Sequence, residues 1–329
     1  MPLLSPEAPP RHVLAIDIGG TKLAVGIVSS RGEIADSART PTHVEFGPDV
    51  VLSRIVGLSR DLLRRHPVAV DMIGVGCGGP LDTGRGLVKN PPNLPGWNDY
   101  PLVQHLQDAL GLRVALDNDA NAAALAEFHF GAGRGTRHMV YFTISTGIGG
   151  GLILNGDLYR GKFGNAGEIG HVQVEYDGEP CNCGGRGCLE HYASGTGIAR
   201  RARKLAERYP DSLLNTLAEH SGEITAHTVK AALEANDSAT VDFWAETIEM
   251  LAAGVASVVH AFDPERVVIG GGISKFGDLL FEPLRSRVKA RTMPPLMEGV
   301  DIVPASCADD VGVLGAAAVA LGGQTMVVS

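Results

Sequence analysis

The sequence predicts an α/β fold built from two related units. Apolar runs with the length of strands are interleaved with longer helical stretches along the chain. One segment has the layout strand, glycine turn, strand (VLAIDIGGTKLAVGIV), and about 127 residues later a second repeats it (VYFTISTGIGGGLIL). The repetition indicates a duplicated unit, although two unrelated hairpins would give the same pattern. The 329 residues are 44% apolar and 20% charged, an ordinary balance for a globular protein with room for two domains.

In the first half of the chain, apolar runs closed by glycine, proline or asparagine predict strands, and longer stretches predict helices. The predicted strands are residues 13–17, 23–28, 70–76 and 113–116. The predicted helices are residues 49–65, 104–110 and 118–129, of which the last is rich in alanine. A segment too rich in proline and asparagine for a helix is predicted to be a loop, residues 90–97.

The second half of the chain gives three more predicted strands, residues 139–144, 152–154 and 266–269. A glycine turn from Thr146 to Gly151 is predicted between the first two, and Gly270 to Gly272 follows the third. A long helix over residues 241–262 stops at Asp263-Pro264, and a last helix covers about residues 312–321.

The charge and the N-terminal sequence narrow the class of protein. A formal net charge of −9 argues against broad nucleic-acid binding, which needs clustered Lys and Arg, but backbone amides can still bind a nucleotide. No apolar run of transmembrane length is evident, and MPLLSPEAPPRH lacks the features of a secretory signal. Its prolines predict a disordered leader over residues 1–12. We therefore expect a cytoplasmic protein that binds neither nucleic acid nor membrane.

The first glycine turn has the chemistry of a phosphate-binding site. Gly19 and Gly20 have no Cβ, so backbone N–H groups can approach a phosphate closely. Thr21 adds a hydroxyl, Lys22 adds a positive charge, and Asp17 at the strand end could hold Mg²⁺. The spacing is neither the Walker A pattern nor GxGxxG, and a plain hairpin turn also uses paired glycines.

Two further glycine turns extend this pattern. Thr146 and Gly147 open a second candidate phosphate turn, and Gly271 and Gly272 follow a strand in a third. Three such turns at strand ends are what nucleotide binding between α/β elements would need. Taken singly, the second turn is explained equally well as a flexible hairpin.

Asp119 is the candidate catalytic base. The run from Asp117 to Asp119 joins a strand to a helix, which places its side chains where open α/β sheets bind ligands. An ionised Asp in the first helical turn can take the proton of a sugar hydroxyl that attacks the γ-phosphate of ATP. Only one of the two acids beside Asn118 need be the base, and the alternative is that Asn118 or Asp119 merely caps the helix.

The most specific pattern in the chain is one histidine followed by three closely spaced cysteines, His171, Cys181, Cys183 and Cys188. One imidazole and three thiolates are the ligands of a closed tetrahedral Zn²⁺ site, which is structural because no position stays open. The ion would stiffen a loop that carries Glu168 and Glu190, and the alternative is a set of free buried thiols. Cys77 and Cys307 lack such partners and are predicted to be core or near-surface thiols.

These motifs resemble those of the ROK family (repressors, open-reading-frame proteins and sugar kinases), most of all its bacterial glucokinases, from Val13 to about Gly322. CNCGGRGCLE is similar to the family's CxCGxxGCxE signature, the turn at Asp17 to its first phosphate motif, and VVIGGGIS to its adenosine motif. The resemblance implies an actin-like ATPase fold, with two ribonuclease H-like α/β domains around a central cleft. The small domain would comprise residues 13–119 plus about 305–322, and the large domain residues 120–304 with the zinc loop.

The resemblance also implies roles for single residues. Asp119 matches the catalytic base, and the matches to sugar-binding positions are Gly79, Asn93, Asn118, Asp119, Glu168, His171 and Glu190. His171 would bind zinc through one ring nitrogen and the sugar through the other. The implied reaction is transfer of the γ-phosphate of ATP, with Mg²⁺, to the 6-hydroxyl of glucose, and the implied assembly is a homodimer or homotetramer.

Other readings of the resemblance stay open. EHYASG and NLPGW look like segments of the family's glucokinases, but kinases for fructose, N-acetylglucosamine or N-acetylmannosamine share most motifs. Sugar-responsive repressors carry an extra N-terminal DNA-binding segment, for which a phosphate motif at Asp17 leaves no room. A non-catalytic sugar sensor is expected to have lost Asp119 or the glycine turns. Kinases that use polyphosphate generally lack the zinc segment.

Overall fold

The computed structural model describes residues 10–322, so most of the predicted leader, residues 1–12, lies outside the described residues. The strands, in chain order, are β1 (His12–Ile18), β2 (Lys22–Ser29), β3 (Ile34–Pro41), β4 (Val70–Cys77), β5 (Leu81–Asp82), β6 (Leu87–Val88), β7 (Arg113–Asn118), β8 (Met139–Ile144), β9 (Ile148–Leu154), β10 (Asp157–Leu158), β11 (Arg266–Gly270) and β12 (Asp301–Pro304).

The α-helices, in chain order, are α1 (Pro48–Arg65), α2 (Leu102–Leu110), α3 (Asp119–Phe130), α4 (Leu189–Ala193), α5 (Gly195–Arg208), α6 (Leu213–Ser221), α7 (Ala226–Glu234), α8 (Ser238–Phe262), α9 (Asp278–Arg291), α10 (Pro294–Met297) and α11 (Val311–Gly322). Local signals explain several of their ends. Helix α1 begins with Pro48, whose fixed φ suits the first helical position. Its first turn is acidic and it ends with two arginines, so the charges at both ends interact favourably with the helix macrodipole.

The described residues form two compact units. The first comprises the residues up to Arg137, Gly151–Ala166 and the residues from Ser306 onward, and the second comprises His138–Gly150 and Gly167–Ala305. The predicted domain boundary at residue 119 differs from this division, because α3 belongs to the first unit. Helix α3 packs tightly on α11, where a Cβ added at Gly315 would lie 2.6 Å from the carbonyl oxygen of Ala122.

The first five-stranded sheet has the order β3-β2-β1-β4-β7. Strands β1, β2 and β3 pair antiparallel, whereas β1, β4 and β7 pair parallel. Alternate side chains of β1 enter two cores: Leu14, Ile16 and Ile18 pack with residues of α1 and α2, and Val13 and Ala15 pack with residues of α3 and α11. This burial on both faces explains the continuous apolar runs that predicted the strands.

The second five-stranded sheet has the order β10-β9-β8-β11-β12, with β8, β11 and β12 parallel. The predicted glycine turn over residues 146–151 is wrong in its extent, because β9 already begins at Ile148 and includes three glycines. Close packing explains a glycine within this strand. A Cβ at Gly150 would lie 2.3 Å from Cδ1 of Ile169.

The longest helix, α8, is long and apolar enough to pass a length-and-composition test for a membrane-spanning segment, which the sequence had not predicted. Half of that apolar window is buried within the protein, and the core helix of a soluble protein passes the same test. Its first turn is capped by the Asp237 side chain, which accepts hydrogen bonds from the N–H and hydroxyl of Thr240.

Candidate active site

The first predicted phosphate turn joins β1 to β2, and Gly19 N–H donates to the carbonyl oxygen of Lys22 at 2.9 Å. The turn lies against the predicted sugar loop, since a Cβ at Gly20 would come within 2.8 Å of the carbonyl oxygen of Asn93. The side chains of Thr21 and Lys22 are exposed. A hydroxyl and an ammonium group are therefore available to a ligand at this turn, beside the loop that carries Asn93.

Asp17 is the penultimate residue of β1 and is only partly accessible to solvent. Burial raises its pKa to about 6, the neighbouring Asp119 carboxylate adds to the rise, and Arg39 opposes it. Its carboxylate also lies against the start of α11, where a Cβ at Gly312 would be 2.1 Å from Oδ2. The carboxylates of Asp17 and Asp119 repel each other, and their oxygens are the ligands that Mg²⁺ prefers. The donor set therefore fits a magnesium ion.

Asn118 and Asp119 lie where β7 ends and α3 begins. Asn118 Oδ1 accepts a hydrogen bond from Ala120 N–H at 2.9 Å, so Asn118 does cap the helix, as the alternative reading held. Asp119 Oδ1 accepts from the same N–H at 2.8 Å. Burial nevertheless raises the pKa of Asp119 and outweighs this hydrogen bond. The residue as a whole is nevertheless exposed to solvent, so water offsets part of this rise in the pKa of Asp119.

A polar network behind Asp119 was missed by the sequence analysis. Asp117 is 2% exposed and accepts hydrogen bonds from Asn118 N–H at 2.8 Å and Asn121 Nδ2 at 2.9 Å. Its other oxygen pairs with Arg160 Nε at 2.8 Å. This buried acid therefore fixes the first turn of α3 and cannot itself serve as the exposed base. Gly79 lies close to the Asn118 side chain, since a Cβ added at Gly79 would be 3.1 Å from Asn118 Nδ2.

The second predicted phosphate turn, which opens with Thr146 and Gly147, adjoins a predicted sugar-binding residue in the second unit. Glu190 Oε2 accepts a hydrogen bond from Ile148 N–H at 2.8 Å. A Cβ at Gly147 would lie 2.5 Å from the same oxygen. A side chain at position 147 would thus displace the Glu190 carboxylate from this hydrogen bond, whatever else the turn binds.

A pocket of about 370 Å³ opens beside this turn, entirely within the second unit. Its walls include two predicted nucleotide-binding residues, Thr146 and Gly272. The carbonyl oxygen of Thr146 accepts the Thr196 hydroxyl at 2.7 Å, which fixes the turn to α5. Gly271 has a φ of +85° and approaches the backbone of Ile144 too closely for any side chain. The remaining walls, from α5, α7 and nearby segments, include Ala199, Arg203, His227 and Phe276.

The predicted zinc ligands lie together. The ligand atoms of His171, Cys181, Cys183 and Cys188 are all within 4.8 Å of one another. Cys181 Sγ is 3.7 Å from His171 Nδ1, and Cys183 Sγ is 3.6 Å from Cys188 Sγ. Four ligands at Zn–S and Zn–N distances of about 2.3 and 2.0 Å in a tetrahedron are separated by roughly 3.5–3.8 Å. The donor set and its spacing therefore fit Zn²⁺.

The backbone around this cluster needs its glycines. Gly187 has a φ of +68°, and a Cβ there would lie 1.9 Å from the carbonyl oxygen of Glu175. The chain then enters α4, in which Cys188 is the N-cap residue and Glu190 lies in the first turn. Glu168 precedes a short 3-10 helix that ends at His171, and its side chain is exposed. The residues of this cluster thus lie on both segments that carry the predicted sugar-binding residues Glu168 and Glu190.

Comparison with known proteins shows which family has these motifs. A profile of the ROK family matches residues 13–322. The chain belongs to the ROK family. A ROK relative, the glucokinase of Thermotoga maritima, is 39% identical over 94% of this chain and 98% of its own length. The N-acetylmannosamine kinase of Salmonella heidelberg is 34% identical over 94% of this chain and 98% of its own length.

Solved structures of ROK proteins agree with the fold. A ROK family glucokinase from Streptomyces griseus, in complex with glucose and AMPPNP, has a TM-score of 0.77 and 33% identity, and the match covers 93% of this chain and 98% of that one. The family resemblance and the actin-like ATPase fold predicted from it are thereby confirmed. The roles of single residues remain predictions.

Proposed function

We propose that this ROK family member is a glucokinase, which transfers the γ-phosphoryl group of ATP to the 6-hydroxyl of glucose. The observation that carries the proposal is Asp119, an exposed carboxyl at a strand end whose pKa is raised. The sugar oxygen attacks the γ-phosphorus, the bond from that phosphorus to ADP breaks, and the hydroxyl proton passes to Asp119. Asp117 is already committed to Arg160 and to the helix turn.

ATP binding is assigned to glycine turns in each unit. In the first unit, Gly19, Gly20, Thr21 and Lys22 would face phosphate groups, and Asp17 would hold Mg²⁺, which neutralises phosphate charge when bound. In the second unit, the pocket lined by Thr146 and Gly272 is large enough for a nucleoside, and Gly147 and Gly271 are the chain neighbours of these two residues. The Lys22 ammonium and the N–H groups of the turn then supply charge complementarity to the anion.

Sugar binding is assigned to hydroxyl-directed groups. In the first unit these are Asn118, Asp119, Asn93 and the backbone at Gly79; in the second unit they are Glu168, His171 and Glu190. A neutral sugar offers donors and acceptors without charge, so paired carboxylates and ring nitrogens give specificity. Since His171 Nδ1 faces the cysteines, Nε2 is the nitrogen that would meet the sugar. A structural Zn²⁺ would hold this segment in place.

A direct test is an assay of ADP release with Mg·ATP and a panel of hexoses, repeated with polyphosphate as donor. Glucose should give the highest kcat/KM of glucose, fructose, N-acetylglucosamine and N-acetylmannosamine. A preference for N-acetylmannosamine is the second candidate, because a kinase for that sugar is similar over the same span. Absence of turnover with every sugar would leave only a sugar-sensing regulator.

The base is tested by Asp119→Asn. This variant should lower kcat by several orders of magnitude while glucose affinity, measured by calorimetry, stays within a few-fold. Asp211→Asn, which alters an exposed acid in the second unit, is the matched control and should leave kcat unchanged. Near-normal turnover of Asp119→Asn would remove Asp119 as the base.

The proposal extends to the setting of the enzyme. We place it in the cytoplasm, where ATP and free glucose meet, at the entry to glycolysis, with no nucleic-acid or membrane partner. A homodimer or homotetramer is the proposed assembly. Light scattering at micromolar concentration tests the assembly directly, and a monomer would exclude both.

A further inference from the structure

Thr42, the first residue after β3, lies beneath the phosphate turn of the first unit. Its side chain is fully buried, at 0% exposure. The Thr42 hydroxyl donates to the carbonyl oxygen of Gly19 at 2.6 Å, and the Thr42 N–H donates to the carbonyl oxygen of Thr21 at 3.0 Å. One residue therefore binds two of the three carbonyl groups of the turn.

Helix α1 contacts Thr42 through Arg54. Arg54 Nη1 donates to the carbonyl oxygen of Thr42 at 2.9 Å, and Arg54 Nη2 donates to the Thr40 hydroxyl at 2.7 Å. The backbone N–H, the backbone carbonyl and the hydroxyl of Thr42 are thus all engaged. The turn is connected through Thr42 to an 18-residue helix, which is a rigid support.

Peptide geometry links these contacts to ligand binding. In a trans peptide the C=O of one residue and the N–H of the next point in opposite directions within one plane. Because the Gly19 carbonyl points to Thr42, the Gly20 N–H points away from it. The same geometry turns the Lys22 N–H away from Thr42, since the Thr21 carbonyl is also held.

We propose that Thr42 is a positioning residue that orients the N–H groups of Gly20 and Lys22 toward the phosphates of ATP. The inference rests on the proposed function and deepens it. Thr42 itself touches no phosphate; it acts through Gly19 and Thr21. Without the hydroxyl, the Gly19 carbonyl loses a buried donor and the peptide plane is free to rotate.

The test uses Thr42→Val, which keeps the shape and the backbone N–H but removes the hydroxyl. The KM for ATP should rise about tenfold, with a fall in kcat, while the KM for glucose stays within about twofold. Thr42→Ser restores the hydroxyl and should recover most of the ATP affinity. Ser59→Ala is the matched control, because it removes a buried hydroxyl that donates to the Ile55 carbonyl at 2.7 Å, away from the turn.

A second variant keeps the inference testable if Thr42→Val does not fold. Arg54→Lys keeps the charge but not the two-pronged contact, and it should raise the KM for ATP about threefold. An ATP-side change equal in Thr42→Val and Ser59→Ala, or absent from Thr42→Val and Arg54→Lys, would overturn the role of Thr42.

Gly20→Ala separates this failure from failure of the proposed function, because it crowds Asn93 at the turn itself. If Gly20→Ala weakens ATP binding and Thr42→Val does not, only the role of Thr42 is lost. If neither variant changes ATP binding, the turn is not a phosphate site, and the assignment of ATP to this turn falls together with the role of Thr42.

Discussion

The carboxylate of Glu190 accepts a hydrogen bond from the N–H of Ile148 at 2.8 Å, immediately after Gly147. Glu190, a predicted sugar-binding residue, is therefore anchored by the turn that was predicted to bind nucleotide. The hydrogen bond occupies one lone pair of Oε2 and leaves Oε1 for a sugar hydroxyl. The two proposed functions of the second unit, sugar binding and nucleotide binding, meet at this contact.

Gly147→Ala tests this coupling. A Cβ would lie 2.5 Å from Glu190 Oε2, so the carboxylate must move. We expect the KM for glucose to rise at least tenfold, with a smaller change in the KM for ATP. Gly57→Ala, at a site in α1 with nothing near the added Cβ, is the control and should be neutral or slightly stabilising. A rise in the KM for ATP alone would show that Gly147 serves the nucleotide instead.

Arg160→Met tests the support behind Asp119, the proposed catalytic base. The variant leaves Asp117 buried and without its cationic partner, which should cost about 3–5 kcal/mol of unfolding free energy. Because Asp117 fixes the turn that carries Asp119, kcat should also fall at least tenfold. Urea unfolding and steady-state kinetics measure the two effects.

Arg64→Met provides the comparison for Arg160→Met, because it removes an exposed ion pair with Asp61 and should change stability by about 0–1 kcal/mol. If Arg160→Met behaves like Arg64→Met in both measurements, the Asp117 network does not position Asp119.

The parts of the site that the sequence predicted are those with local signals. The predicted zinc ligands Cys181, Cys183 and Cys188 span eight residues, and the strand that ends at Asn118 runs directly into a helix. The missed parts are long-range pairs. Arg160 lies 43 residues from Asp117, and Thr42 lies 23 residues from Gly19. Only tertiary packing brings such residues together, and no spacing in the chain marks them.

The same distinction explains where the structure differs from the predicted elements and units. The glycines at the start of β9 indicated a turn, because glycine is the commonest turn residue. At Gly150 the cause is the close approach of Ile169, a contact across 19 positions of the chain. The unit to which α3 belongs likewise depends on its packing with α11, which lies at the other end of the chain.

Loss of the zinc cluster should affect the sugar more than the nucleotide. Cys183→Ser changes the one exposed cysteine of the cluster and therefore disturbs the core least. It should abolish zinc binding, which metal analysis should give as one ion per wild-type chain, and should weaken glucose binding more than tenfold. Binding of a non-hydrolysable ATP analogue should stay within about twofold.

Cys77→Ala is the control for the zinc experiment, because it removes a buried thiol outside the cluster and should keep the metal. Full glucose affinity in a zinc-free Cys183→Ser variant would contradict the assignment of zinc to the sugar-binding segment.

The last prediction concerns the pH dependence of stability. The pKa of Asp17 is raised from 3.8 to about 6, so the folded state binds its proton more tightly than the unfolded state. The associated stability is fully present below pH 3.8 and is lost as the pH rises through 6. Asp17→Asn removes that loss, so it should stabilise the protein at pH 8, by at most about 3 kcal/mol, and have little effect near pH 4.

Thermal unfolding of Asp17→Asn and wild type at pH 4, 6 and 8 checks this, with Asp211→Asn as the exposed control. Added Mg²⁺ should narrow the difference at pH 8, because an ion held by Asp17 stabilises only the wild type. The variant should also lose most phosphoryl transfer. Equal stabilities at pH 8 without Mg²⁺ would mean that the Asp17 carboxylate is not destabilised where it lies, beside Asp119 and the first turn of α11.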